Sequence, residues 1–456
     1  MKRSCEQIDV RPGCRTSMDR DVHLRVPEIQ KQIQWRQEIA GYKTFRESGH
    51  IPTLFAAFLY FDFSFAVWVL NGAMGPFISE QFHLTQGQIG LMVSIPTLAG
   101  AFMRFPLGVL AQYIGRKNAA IVEMSAIVIA LLYGFLFVKN YHDVLAMGVL
   151  LGIAGASFGV ALSLGAGWFP KQYKGLAMGV AGAGNSGTAV VALLAPRLAQ
   201  HFGWQHVYGF AALFMLLPLG VMIFLAQEPP DIEHQSLAEH LSCLWEKDGW
   251  AFNFIYIITF GGFLGLATFL PSFYFKQFHV SKIEAGSLSV LATLTGSATR
   301  VVGGWLADRI GGITTLTAAF LVAITGLFGL MTSPPLLATT LLFMFCFAAL
   351  GAGNGATFQL VPLRWPTTTA VAGSMIGEIG ALGGSILPNL LGQSKQHTGS
   401  YASGFIVYTA FTLLILVMIR VAARQWTRTW VHAGGRVARI GRKQNRNEDQ
   451  QRLVSH

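Results

Sequence analysis

Two stretches decide how this chain is read: AGAFMRFPLG at residues 99–108 and GSATRVVGGWLADR at residues 296–309. Each sets an arginine inside an otherwise apolar run. No acid lies within twelve residues on the N-terminal side of Arg104, and none precedes Glu123 on the other. A guanidinium in hydrocarbon is costly and keeps its proton, so it needs an anion, an acid partner or carbonyls.

The rest of the chain makes hydrocarbon the right solvent to consider. Of 456 residues, 52% are hydrophobic and only 12% are charged, where a soluble domain carries about 25%. Mean hydropathy is +0.48. A spanning helix needs about 20 mostly apolar residues. Twelve segments qualify: 52–75, 88–111, 118–138, 143–167, 174–196, 205–226, 251–274, 283–306, 313–333, 335–360, 367–391 and 401–423. The expected architecture is an all-α membrane protein of two six-helix halves, 51–226 and 251–423. A polar linker at 227–250 (beginning QEPPDIEHQS) joins them, with tails at 1–50 and 424–456. The N-terminal tail lacks the apolar core of a signal peptide.

The net charge of +11 is concentrated in the tails. Ten of 33 Lys and Arg lie in residues 1–50, and eight lie after residue 423. Basic tails beside membrane helices signal a cytoplasmic location facing anionic lipid. The expected setting is a bacterial cytoplasmic (inner) membrane with both termini inside. No nucleic-acid motif accompanies the charge. Cys5, Cys14, Cys243 and Cys346 show no metal or redox spacing, and the twelve histidines form no metal cluster. Without GxxxxGK[ST], direct ATP-driven transport is disfavoured. No nucleophile triad emerges, so neither an enzyme nor a cofactor is expected.

The halves repeat. A shift of 196 residues lays Arg104 on Arg300, Gly108 on Gly304, Gly155 on Gly351, Gly159 on Gly355, Pro170 on Pro366 and Gly187 on Gly383. Parallel repeats imply a pseudo-twofold along the membrane normal and a central cavity. Across it, two guanidiniums would clamp a small anion with forked hydrogen bonds. The competing structural reading pairs each arginine with an embedded acid: Asp62, Glu123 or Glu378. Glycine stretches occur at GIAGASFG (152–159), GVAGAGNSG (179–187), GAGNG (351–355) and GSMIGEIGALGG (373–384). They allow close helix packing and also bare backbone to a compact substrate. Asn185 is the better amide donor to such a substrate, and Asn354 suits a local structural bond. Phe158, Tyr256 and Phe260 are candidate cavity walls. The loops GVLAQYIGRKN (108–118) and GGWLADRIGG (303–312) read as paired tethers, with Arg116, Asp308 and Arg309 as gate residues.

These motifs together resemble the nitrate/nitrite porter family of the major facilitator superfamily, over nearly all of residues 51–423. The specific part is both embedded arginines with GAGNSG (182–187) and the glycine repeat near 373–384. The resemblance implies that Arg104 and Arg300 bind nitrate or nitrite and that Asn185 lies near the anion. It makes Tyr256, in YIITFG (256–261), a hydrogen bonder, and Phe260 and Phe158 opposing walls. Gln112 stands where the superfamily's first loop carries an acid, while Asp308 keeps the acid in the second. The implied activity is proton-coupled nitrate import by alternating access, expected of a monomer in the lipid bilayer, and the embedded acids Glu378 and Asp62 are the candidate proton carriers where they are not structural. The alternatives are nitrate/nitrite exchange, transport of another small anion such as a carboxylate, and a membrane sensor that binds nitrate without moving it.

Overall fold

The structure is a computed structural model that describes residues 45–182, 186–230, 242–366 and 368–436. Asn185, residues 231–241 of the linker and residues 1–44 and 437–456 of the tails lie outside the described residues. Among the described residues from 51 onward, twelve long helical rods follow one another, and among the described residues no strand occurs. In the first half, α1 runs Ile51–Trp68 and Leu70–Gln81, α2 Gln86–Ile114 and α3 Arg116–Leu136. Next, α4 runs Tyr141–Leu151 and Ser157–Ala166 around a 3-10 turn, α5 Lys171–Ala181 and Gly187–Phe202, and α6 Trp204–Leu225. In the second half, α7 runs Lys247–Tyr256 and Gly262–Phe278 around a π turn, α8 Lys282–Ile310 and α9 Gly312–Met331. Then come α10 Leu336–Arg364, α11 Thr369–Thr398 and α12 Ala402–Thr429. In lipid, every backbone group must be satisfied within its own segment, which is why apolar runs of this length become helices.

The observed rods overrun several expected limits. Residues 247–250, expected in the linker, are the first turn of α7. Residues 424–429, expected in the tail, continue α12. Among the described residues, nine rods are long and apolar enough to cross a membrane. The other three, α5, α8 and α11, carry glycine stretches or embedded charge and lie along the seam between the halves.

The repeat extends into the turns. Left-handed or strained backbone recurs at His83 and His279 (φ 49° and 53°), Gly115 and Gly311 (88° and 100°), and Gly203 and Gly399 (86° and 72°). Each pair is 196 residues apart. The same offset relates the caps of α2 and α8, where Thr85 and Ser281 accept the amides of Gln88 and Glu284.

The halves interlock at the face away from the chain termini. There Gly87 N–H donates to Gln396 Oε1 (2.7 Å), and Ser94 Oγ donates to the Ser385 carbonyl (2.8 Å), joining α2 to α11. Gly286 of α8 lies against the Ala192 carbonyl and Pro196 of α5. Lys282 pairs with Glu80 and sits 4.6 Å from the Phe77 ring. On the face that carries the termini, a Cβ added at Gly108 of α2 or Gly179 of α5 would meet nothing within 4 Å. The seam is closed at one end and parted at the other.

Candidate functional site

The embedded charges converge at mid-bundle. Arg104 is 5% exposed. Its Nε donates to the Gly155 carbonyl of α4 (2.8 Å), and its Nη1 donates to the Gly377 carbonyl of α11 (2.5 Å). One guanidinium thus bridges the two halves. The carbonyl of Gly155 is within reach because the backbone comes close there. The Trp68 indole lies where a Cβ on Gly155 would be, at 2.3 Å. Trp68 is itself fixed by a 2.7 Å bond from Nε1 to the Pro96 carbonyl. A substituent on Gly377 would press on Arg104 Nη1 and Phe158, both at 3.4 Å.

Three rings surround this guanidinium. Trp68, Phe158 and Phe260 have centroids 5.4, 5.5 and 5.8 Å from its central carbon. Phe61 backs Phe158 at 5.3 Å. Phe260 stacks on Tyr256 at 5.1 Å and 10°. The Tyr256 hydroxyl receives Nη2 of Arg300 at 3.5 Å. An aromatic bridge therefore runs from one arginine to the other. Arg300 is half-buried, with Phe358 6.0 Å away. The π turn at Ile257–Gly261 holds Phe260 and directly follows Tyr256, and π turns often mark functional sites. Of the residues singled out from sequence, Arg104, Arg300, Tyr256, Phe260 and Phe158 come together here.

The embedded acids behave differently from one another. Glu378 is 9% exposed, accepts from Ser374 Oγ at 3.0 Å and interacts electrostatically with Arg104. Asp62 reaches α5 instead. One carboxylate oxygen accepts the Ser186 hydroxyl (2.6 Å) and the Gly187 amide (2.8 Å). Glu123 is 1% exposed and accepts from the Tyr60 hydroxyl. Neither arginine forms a side-chain ion pair among the described residues. Asn354 is buried in α10, and its amide oxygen has no hydrogen-bond partner among the described residues.

At the tether loops, sequence reasoning missed a residue. Gln112 removes one acid, and Glu228, just after α6, supplies another. Its two oxygens accept the Arg116 and Lys117 amides at 2.8 Å each, at the positive end of α3. The Arg116 guanidinium reaches the Ser163 carbonyl of α4 at 3.4 Å. In the second half, Arg309 lies 3.9 Å over the Trp305 ring, and Asp308 is exposed. Trp68, Phe358 and Ser374 were also missed. A lone aromatic or serine in an apolar helix gives no signal of what it faces.

Two repeated six-helix halves, closed at one end around a cationic, aromatic-walled centre, define a transport protein rather than an enzyme. The chain belongs to the major facilitator superfamily, whose model matches residues 56–388. It is 29% identical over 361 residues to the nitrite extrusion protein of Bacillus subtilis, covering 78% of this chain and 90% of that one. It is 30% identical over 356 residues to the probable nitrate transporter NarT of Staphylococcus carnosus, covering 77% and 91%. Among solved structures, it resembles a bacterial homologue of the human lysosomal transporter Spinster in an inward-facing, occupied conformation. The TM-score is 0.64 at 16% identity, covering 86% of this chain and 99% of that one. The human organic anion transporter MFSD10 matches with TM-score 0.62 at 15% identity, covering 81% and 99%. At these identities the solved structures speak to the fold.

Proposed function

We propose that this protein imports nitrate, with nitrite as a second cargo, across the bacterial cytoplasmic membrane by proton-coupled alternating access. The observation that carries this reading is Arg104. It is a buried guanidinium at the seam, walled by rings and held by one carbonyl from each half. Its fork has more N–H donors than two carbonyls use. A small planar anion seated between Arg104 and Arg300 would accept the remainder and lie against Phe158 and Phe260. The names of the curated relatives support nitrate and nitrite as the anions.

The basic tails argue that the termini face the cytoplasm. With that orientation, the closed end of the seam faces outward and the parted end opens inward. The halves 51–226 and 251–423 would rock about the site as a monomer. Arg116 would steady the first cytoplasmic loop, and Asp308 and Arg309 the inner gate.

Anion entry into a negative interior is opposed by about 2.3 kcal/mol per charge per 100 mV. A proton taken up with the anion removes that opposition, and a second turns the potential into a driving force. Glu378 is the preferred candidate for the proton carrier, because it directly follows Gly377, whose carbonyl holds Arg104. Proton and nitrate sites coupled in this way would each favour occupancy of the other, by reciprocal linkage. Asp62 already serves as an acceptor for the start of Gly187–Phe202. The name of the Bacillus relative favours exchange against internal nitrite as the second reading.

Uptake of labelled nitrate into proteoliposomes separates the two. The expected result is accumulation driven by an imposed proton gradient without internal nitrite. Glu378→Gln should abolish this accumulation and leave nitrate–nitrate exchange intact. Asp62→Asn, which keeps an acceptor oxygen, should retain most of it. Uptake that requires internal nitrite and ignores the proton gradient would overturn symport.

A further inference from the structure

The lipid-facing side of α12 changes character along one stripe. Ile406, Leu413 and Val417 are exposed and apolar, with Val407 and Leu414 beside them. The same stripe continues as Arg420, Arg424 and Arg428, all exposed. This i, i+4, i+8 spacing lines three guanidiniums along one face over about 12 Å. That matches the depth of a headgroup layer rather than a single contact. No acid occurs anywhere in Ala402–Thr429. The acids at this end of the neighbouring α7 are engaged elsewhere. Glu246 and Asp248 hold Arg364, and Asp248 also accepts from Trp426 Nε1 at 2.8 Å. Trp245 and Trp250 are exposed at the same end, at 85% and 45%, as tryptophans at a membrane interface are.

We propose that Arg420, Arg424 and Arg428 form a binding surface for the phosphate headgroups of anionic lipids in the leaflet where α12 emerges. The apolar stripe fixes lipid as the occupant, because the cationic face continues the acyl-chain face without a break. The surface leads into a working part of the molecule. Beyond α12, the Gly434 carbonyl accepts from Thr314 Oγ (3.4 Å), and Arg436 Nε donates to the Ile310 carbonyl (3.4 Å). The chain therefore comes to rest on the loop between α8 and α9 that follows Asp308 and Arg309. Lipid held at the arginines steadies the end of α12 and, through it, that loop. The link to the gate rests on the proposed placement of this face in the cytoplasmic leaflet, where anionic lipid and gate loop coincide.

The test uses the full chain in nanodiscs of phosphatidylcholine alone or mixed with phosphatidylglycerol. The wild type should retain phosphatidylglycerol in native mass spectrometry and unfold at a higher temperature in the mixed discs. Changing all three arginines to Gln should weaken phosphatidylglycerol retention about a hundredfold, from about 1 kcal/mol per basic residue. It should also erase the thermal gain, while unfolding in phosphatidylcholine alone stays the same. Gln at Arg439, Arg442 and Lys443 of the tail is the comparison and should weaken retention far less than the helix variant. Unchanged retention in the helix triple variant, or an equal or larger loss in the tail variant, overturns the proposal. Equal thermal gain from inorganic phosphate also overturns it, because the site would then read free anion. Nanodiscs expose both faces of the protein, so the result does not depend on its orientation or on which anion it transports.

Discussion

Arg104 and Arg300 hold equivalent places in the two repeats, yet their surroundings differ. Arg104 is buried, donates to two carbonyls and is ringed by Trp68, Phe158 and Phe260. Arg300 is half-buried, and its hydrogen bond to Tyr256 is 3.5 Å long. The difference begins on α1 and α7. Tyr60 and Tyr256 are also 196 residues apart. Tyr60 turns away to Glu123 of α3, while Tyr256 faces the site. The repeat sets the positions of the arginines, and their different neighbours make one a fixed anchor and the other a looser arm.

The largest expected effect breaks this comparison directly. Lys keeps the charge and loses the planar fork. Hydrogen bonds to a charged group contribute about 1.5–3 kcal/mol. Arg104→Lys should therefore lower nitrate uptake about a hundredfold, and Arg300→Lys about tenfold, at matched protein in the vesicles. Equal losses would mean that the two arginines are energetically alike despite their different housing.

A glycine pair sharpens the contrast between tight and open packing. Gly155→Ala places a Cβ at 2.3 Å from the Trp68 ring. Overpacking of this kind destabilises by about 1–3 kcal/mol, which should appear as a lower unfolding temperature. Gly108→Ala meets open space and should leave that temperature unchanged. A drop for Gly108→Ala would show that the termini-bearing end of the seam is closed in detergent.

The smallest effect concerns the closed end. The Glu80–Lys282 pair is partly exposed, at 59% and 24% for the two side chains. Exposed pairs contribute at most about 1 kcal/mol. Glu80→Gln should shift the balance toward opening at that end by a few-fold or less, read as faster thiol labelling of a cysteine placed in the central cavity. A shift of about a hundredfold would mean that this pair alone holds the seam.

Much of this was legible in the sequence. Twelve apolar runs had to become helices, because lipid offers the backbone no partners. The arginines stood out because charge in hydrocarbon demands a reason. The offset of 196 was visible in Arg, Gly and Pro, and it recurs in turn backbone at His83 and His279. Sequence could not name the acceptors of Arg104. They are backbone carbonyls of Gly155 and Gly377, and a carbonyl has the same composition at every residue. Nor could it show that Glu228 accepts the amides of Arg116 and Lys117, since their separation along the chain hides their meeting in space.

The sequence by itself determined the class of molecule: where helices form, how the halves correspond and which two cations sit within apolar helices. Those properties follow from solvent and period, which act residue by residue. Tertiary structure alone decided that Asp62 serves α5, that Arg104 is held by one carbonyl from each half, and that the seam is shut at one end and parted at the other. These depend on which faces of distant helices meet, and helix periodicity places a residue on a face without saying what lies across from it.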